Sequence, residues 1–72
     1  MTGVEIDARG MRCPWPALRF ARAMREAVVG QAVMIVADDP KAENEIRQLA
    51  EANGWPLIVQ EKDDEQKFIV TR

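Results

Sequence analysis

The middle of the sequence reads VMIVADDP at residues 33–40, where an unbroken apolar run changes into a polar turn. An apolar run of this length is typical of a strand that lies at the centre of a sheet or is covered on both faces. Asp and Pro after such a run are typical of a helix start, because Asp accepts hydrogen bonds from free N–H groups and proline is tolerated in the first turn. This stretch therefore predicts a central strand that leads directly into a helix.

The segments on either side of this stretch complete a small mixed fold. Val4 and Ile6 alternate with polar residues, as in a half-buried strand, and apolar residues at helical spacing predict a first helix over residues 13–28. Two later apolar runs, 57–59 and 68–70, are joined by a polar segment and predict a hairpin. The expected fold class is α+β: a two-layer sandwich in the order β-α-β-α-β-β, with two helices on one face of a four-stranded mixed sheet.

The composition restricts what this chain, taken as one domain over residues 1–72, can do. It has one cysteine, no histidine and a net charge of −2. One cysteine cannot form an internal disulfide, and the usual zinc sites need histidine or several cysteines, so we expect no metal and no resident cofactor. The nearly balanced charge argues against direct nucleic-acid binding, and no apolar run approaches the ~20 residues that span a membrane.

The start of the sequence and the unpaired cysteine bear on location. Residues 1–5 do not show the basic segment followed by an apolar segment that marks a signal peptide. A free cysteine is typical of a reducing compartment. We therefore expect a cytoplasmic protein.

The only cysteine, Cys13, precedes the first predicted helix. A helix N-terminus favours an anion, Arg9 and Arg12 come just before the cysteine, and Arg19 follows it. The backbone N–H groups of the first turn, such as that of Trp15, are candidates to reach the sulfur. These features predict a thiolate whose pKa lies below the ~8.5 of a free thiol.

A lone thiolate supports only a few kinds of chemistry. Cysteine hydrolases need a base, usually histidine, and dithiol oxidoreductases need a second cysteine. A thiolate without either can receive a group, hold it and give it to a partner, which describes a carrier. Two alternatives stay open at this point: a regulatory or interaction module whose cysteine is buried and inert, and a redox-sensing thiol that oxidises or forms a mixed disulfide.

Residues 7–16, which read DARGMRCPWP, resemble the signature of the TusA family, also called SirA-like proteins. That signature has an acidic strand end, a glycine, and Cys-Pro-x-Pro at a helix start. Residues 36–40, VADDP, also resemble the family, and the element order covers essentially the whole chain. The resemblance implies two helices on a four-stranded sheet. It also implies that Cys13 carries sulfane sulfur as a transient persulfide.

The partners follow from the same resemblance. A cysteine desulfurase or a rhodanese-type protein is the implied donor, and a second protein accepts the sulfur, so the chain is a sulfurtransferase-type relay rather than a stand-alone turnover enzyme. One branch of the family leads to 2-thiouridine in tRNA; others serve molybdenum-cofactor synthesis, sulfur oxidation or thiosulfate use. The tRNA branch usually has Ser or Thr after Asp-Asp-Pro and a later Ile-Pro pair, where this chain has Ala42 and Arg47.

Further residues have expected roles around Cys13. Trp15, Arg19 and Arg22 fall on the solvent face of the first helix and are expected to dock a partner. Asp38 and Asp39 are expected to cap the second helix rather than to bind metal or transfer protons. The full set expected to support Cys13 or to dock partners is Arg9, Arg12, Pro14, Trp15, Pro16, Arg19 and Arg22. Trp55 is expected to cover the core.

Overall fold

The order of elements in the computed structural model, which describes residues 3–72, is the predicted β-α-β-α-β-β. Met1 and Thr2, part of the stretch without signal-peptide character, lie outside the described residues. The elements are β1 (Val4–Ala8), α1 (Trp15–Glu26), β2 (Ala32–Ala37), α2 (Ala42–Asn53), β3 (Leu57–Lys62) and β4 (Glu65–Thr71).

The four strands form one mixed sheet in the order β1-β2-β4-β3. β1 and β2 are parallel, with Ile6 opposite Ile35, whereas β4 runs antiparallel to both β2 and β3. β2 therefore lies between two strands, as its continuous apolar run predicted. Because β1 and β2 are parallel, their carboxyl ends, at Ala8 and Ala37, meet at the same edge of the sheet.

Both helices cover one face of this sheet. Phe20 and Met24 of α1 and Ile46 of α2 are fully buried against Phe68 of β4 and its neighbours. Trp55 packs edge-on against Phe20, with ring centroids 6.4 Å apart, which confirms its expected place over the core. The buried core comprises Ile6, Ala8, Phe20, Met24, Ala27, Val33, Ile35, Ala37, Ala42, Ile46, Ala50, Phe68 and Val70.

The first helix ends two residues earlier than predicted. α1 stops at Glu26, Ala27 takes an extended conformation, and Val28 is 60% exposed. The guanidinium of Arg72 donates hydrogen bonds to the carbonyls of Met24, Arg25 and Ala27. Carbonyls at a helix end lack hydrogen bonds from helical N–H groups. Here the side chain of Arg72, far away in the sequence, provides the missing donor.

The hairpin between β3 and β4 is also tighter than expected. Both strands continue through most of the polar segment, so that Lys62 pairs with Glu65 and only Asp63 and Asp64 form the turn. Asp63 has a φ of 57°, a left-handed conformation that Asp tolerates better than most residues. Cross-strand hydrogen bonding therefore extends farther than the apolar pattern indicated.

Replacing Arg72 by Met should lower the free energy of unfolding by about 1 kcal/mol, because the hydrogen bonds to the end of α1 are lost while the apolar stem is largely kept. Arg25→Met, which removes the same charge from an exposed position in the last turn of α1, should change it by less than ~0.5 kcal/mol. Urea unfolding followed by tryptophan fluorescence measures both. Equal effects in the two variants would contradict the role given to Arg72.

Candidate functional site

Cys13 lies in the short loop between β1 and α1, half-buried, and its peptide bond to Pro14 is cis. Pro14 occupies the N-cap position, and α1 begins at Trp15 with no acidic residue in its first turn. The prediction that Cys13 lies directly before the first helix is therefore confirmed.

The buried carboxylate of Asp39 fixes this loop against the turn before α2. Its Oδ2 accepts a hydrogen bond from the Cys13 N–H at 2.8 Å, and its Oδ1 accepts one from the Lys41 N–H, also at 2.8 Å. These two backbone hydrogen bonds hold the pKa of Asp39 below its usual range. Asp38 acts similarly one residue earlier, since its Oδ1 accepts from the Gly10 N–H at 3.0 Å.

The capping role predicted for these two aspartates needs a correction. α2 begins at Ala42 with Lys41 at its N-cap position, and no side chain among residues 3–72 makes a capping hydrogen bond there. Asp39 stabilises the turn ahead of the helix, and its second oxygen is used by the cysteine loop. Asp38 binds that loop as well. Both aspartates thus position the site, a role that became visible only once the two loops were placed side by side.

The thiol of Cys13 donates a hydrogen bond to Oε2 of Glu45 at 2.6 Å. This hydrogen bond raises the pKa of Cys13, and burial and the negative charges of Glu45 and Asp39 raise it further, against a smaller opposite effect of Lys41. The predicted low pKa was therefore wrong. The helix N-terminus acts weakly and within one turn, whereas the Glu45 carboxylate touches the sulfur.

Sequence reasoning missed Glu45. It lies in the first turn of α2, three residues after the buried Ala42 and directly before the buried Ile46. A carboxylate beside the buried face of a helix was the available signal, because such a group needs a partner when it leaves solvent.

The arginines do not surround the sulfur as expected. Arg9 binds the carboxylate of Asp7 with two side-chain hydrogen bonds, each of 2.9 Å, and reaches Glu65 at 3.2 Å. Arg12 acts through its charge on Asp39, where it helps to lower the pKa of that carboxyl. The positive charge that acts on Cys13 itself comes from Lys41.

The first turn of α1 also differs from the expectation. The N–H of Trp15, a candidate donor to the sulfur, instead donates to the carbonyl of Arg12 at 2.8 Å. The environment of Cys13 is therefore built by the carboxylates of Asp39 and Glu45 more than by the helix N-terminus or the arginines.

Comparison with known proteins assigns this arrangement to a family. The family model described as sulfurtransferase TusA matches residues 4–72. The chain belongs to the TusA family. A relative from Archaeoglobus fulgidus, named "Putative sulfur carrier protein", is 40% identical over 68 residues, which are 92% of this chain and 88% of that protein. The crystal structure of a SirA-like protein from Desulfitobacterium hafniense matches with a TM-score of 0.87 at 27% identity, covering 94% of this chain and 95% of that chain.

These findings confirm the family resemblance that residues 7–16 and 36–40 carry, and they confirm the predicted fold. In this TusA-family chain, Trp15 is 61% exposed, and Arg19 and Arg22 are exposed beside it, as the helical spacing predicted. Leu18, 52% exposed, joins them. Pro14 is exposed, whereas Pro16 is buried and packs within the protein, so it supports the helix start rather than contacting a partner.

Within residues 3–72, no three His, Cys, Asp or Glu side chains come together in a way that could hold a metal ion. No helix in the same range is long and apolar enough to cross a membrane.

The raised pKa of Cys13 predicts how its reactivity depends on pH. Because only the thiolate is alkylated, the rate with iodoacetamide should be low near pH 7, and the midpoint of its rise with pH should lie above the ~8.5 of a free thiol. Glu45→Gln removes the charged acceptor, so the midpoint should move to lower pH and the rate at pH 7 should increase. Glu43→Gln removes a neighbouring charge that pairs instead with Arg47, and should leave the midpoint unchanged. A wild-type midpoint below ~8.5 would contradict this assignment.

Proposed function

We propose that Cys13 carries sulfane sulfur as a persulfide, which it takes from a donor protein and gives to an acceptor protein. The supporting observation is the position of the only cysteine, half-exposed at the start of α1, in a chain of the TusA family. The relative from Archaeoglobus fulgidus is itself named for sulfur carriage.

The transfer needs no redox partner. The Sγ atom of Cys13 attacks the terminal sulfur of the donor persulfide; a new S–S bond forms and the S–S bond of the donor breaks. The thiol proton of Cys13 ends on the donor thiol, so a thiol and a persulfide exchange roles with no net oxidation. With no second cysteine and no histidine in the sequence, the chain has no internal thiol to displace the sulfur, which stays until a partner thiol attacks it.

We propose that the donor docks on the exposed side of α1, a docking face formed by Trp15, Leu18, Arg19 and Arg22. An exposed tryptophan beside arginines is the composition that interfaces favour at their energetic centres. Two arginines in this face suit a partner with an acidic surface, although Arg22 also lies 3.7 Å from Glu26. A cysteine desulfurase or a rhodanese-type protein, the donor that the family resemblance implies, would supply the sulfur as a persulfide.

We propose that a thiol of an acceptor protein receives the sulfur from Cys13. Transfer towards 2-thiouridine in tRNA is one such route, and the residues after Asp-Asp-Pro, Ala42 and Arg47, differ from those usual in that branch. Persulfide relay requires reduced thiols, which fits the cytoplasm.

Intact-mass analysis tests the carrier function directly. After incubation with a cysteine desulfurase and cysteine, the wild-type protein should gain the mass of one sulfur atom and lose it on reduction, and Cys13→Ser should gain none. An unchanged mass with several competent donors would contradict the carrier and favour the interaction module. Mass added as oxygen instead of sulfur would favour the redox sensor.

A double variant tests the docking face. Combining Trp15→Ala with Arg19→Glu should slow sulfur uptake from the protein donor at least about tenfold. The part of this effect that comes from the charge reversal at Arg19 should weaken at high salt. Uptake from a small persulfide should not change. The matched control is Ile58→Ala with Lys67→Glu, which removes an exposed apolar side chain and reverses a charge on strands β3 and β4. Equal slowing in both double variants would place the donor elsewhere.

A further inference from the structure

The side chain of Glu45 is unusual because its two oxygens differ so much in their surroundings. Oε2 accepts the hydrogen bond from the Cys13 thiol at 2.6 Å, and Oε1 is buried with no hydrogen-bond partner among the described residues. A buried carboxylate oxygen without a hydrogen-bond partner destabilises the folded state. Such an atom in a native protein is therefore a candidate for a functional role. The position therefore calls for a functional explanation.

We propose that Glu45 is the group that accepts the thiol proton when Cys13 takes up sulfur, and that returns a proton when the sulfur leaves. This inference rests on the proposed carrier function. A proton acceptor must lie within hydrogen-bond reach of the proton it takes, and Glu45 meets this condition without any movement.

The neighbouring groups are poorly suited to the same task. Asp39 already uses both oxygens, one for the N–H of Cys13 and one for that of Lys41. Lys41, the positive group that acts on Cys13, carries no acceptor in its charged form. The sequence contains no histidine to act as the usual base.

The proton and the bonds balance in each direction. In uptake, Sγ of Cys13 bonds to the terminal sulfur of the donor persulfide as its proton passes to Glu45, and the departing donor thiolate takes a proton from Glu45. In delivery, an acceptor thiol gives its proton to Glu45 as its sulfur attacks the terminal sulfur, the S–S bond of Cys13 breaks, and Glu45 passes that proton to the departing Cys13 sulfur. Glu45 ends each half-reaction as the carboxylate that began it, without any oxidant or reductant.

The decisive experiment compares two reactions of Cys13 in the full chain at pH 7. Alkylation by iodoacetamide reports the thiolate fraction, whereas uptake from a low-molecular-weight persulfide such as glutathione persulfide reports the transfer step without protein docking. Glu45→Gln should speed alkylation and slow sulfur uptake at least about tenfold, a modest part of the 10²–10⁴ that positioned bases typically contribute. Glu45→Asp, which keeps a carboxylate, should recover part of the uptake.

Opposite changes in the two rates support the proposal, because a residue that only restrains the thiolate would change both rates in the same direction. Unchanged or faster uptake in Glu45→Gln overturns it. If that variant does not fold, the pH dependence of the wild-type protein still tests the proposal. The rate of sulfur uptake should rise less steeply with pH than the rate of alkylation. Parallel slopes of the two rates would overturn the proposal. Failure of wild-type Cys13 to accept sulfur from any donor would instead overturn the carrier function itself.

Discussion

The buried carboxylate of Asp39 is the contact on which the site depends. It joins the loop that carries Cys13 to the turn that begins α2, by hydrogen bonds of 2.8 Å to one N–H group on each side. The sheet makes this contact possible, because the parallel pairing of β1 with β2 brings the ends of both strands to one edge. This link, together with the hydrogen bond from the Gly10 N–H to Asp38, holds Cys13 opposite Glu45, which lies thirty-two positions away in the sequence.

The consequence of this arrangement is a raised pKa of Cys13, which favours the thiol over the thiolate. Two influences compete at Cys13: the start of α1 favours an anion, and the carboxylate of Glu45 opposes one. The second prevails because Glu45 contacts the sulfur at 2.6 Å, while the field of a helix end is spread over several backbone groups and screened by water. A protonated thiol reacts slowly with stray electrophiles and oxidants, which suits the proposed role of holding sulfur only after a partner supplies it.

The sequence allowed most of the fold to be predicted, since its elements are set by local patterns. The apolar run at 33–36 belongs to the central strand, Cys13 precedes a helix, and Trp15 is exposed at the spacing expected. These features depend on residues close together in the chain. The end of α1 was misplaced by two residues, and the carbonyls at the observed end are bonded by Arg72, which lies far away in the sequence.

The site was predicted less well than the fold because its chemistry depends on which side chains meet across the fold. Arg9 was a reasonable candidate to stabilise a thiolate, but Asp7 lies two residues away and Glu65 lies on the adjoining hairpin, and both bind it. Glu45 gave only a weak signal, as an acid beside a buried helix face. Charges near a cysteine in sequence therefore do not fix the sign of its pKa shift; the direct contact does.

NMR of the Cβ carbon of Cys13 tests the central claim most directly, since the only cysteine of the chain can be labelled selectively. At pH 7 the free protein should show the chemical shift of a thiol. Addition of a persulfide donor should replace it with a single new signal, which returns to the thiol position on reduction. A thiolate signal in the free protein, or no new signal with donors that load other carriers, would contradict the account of Cys13 as a protected thiol that carries sulfur.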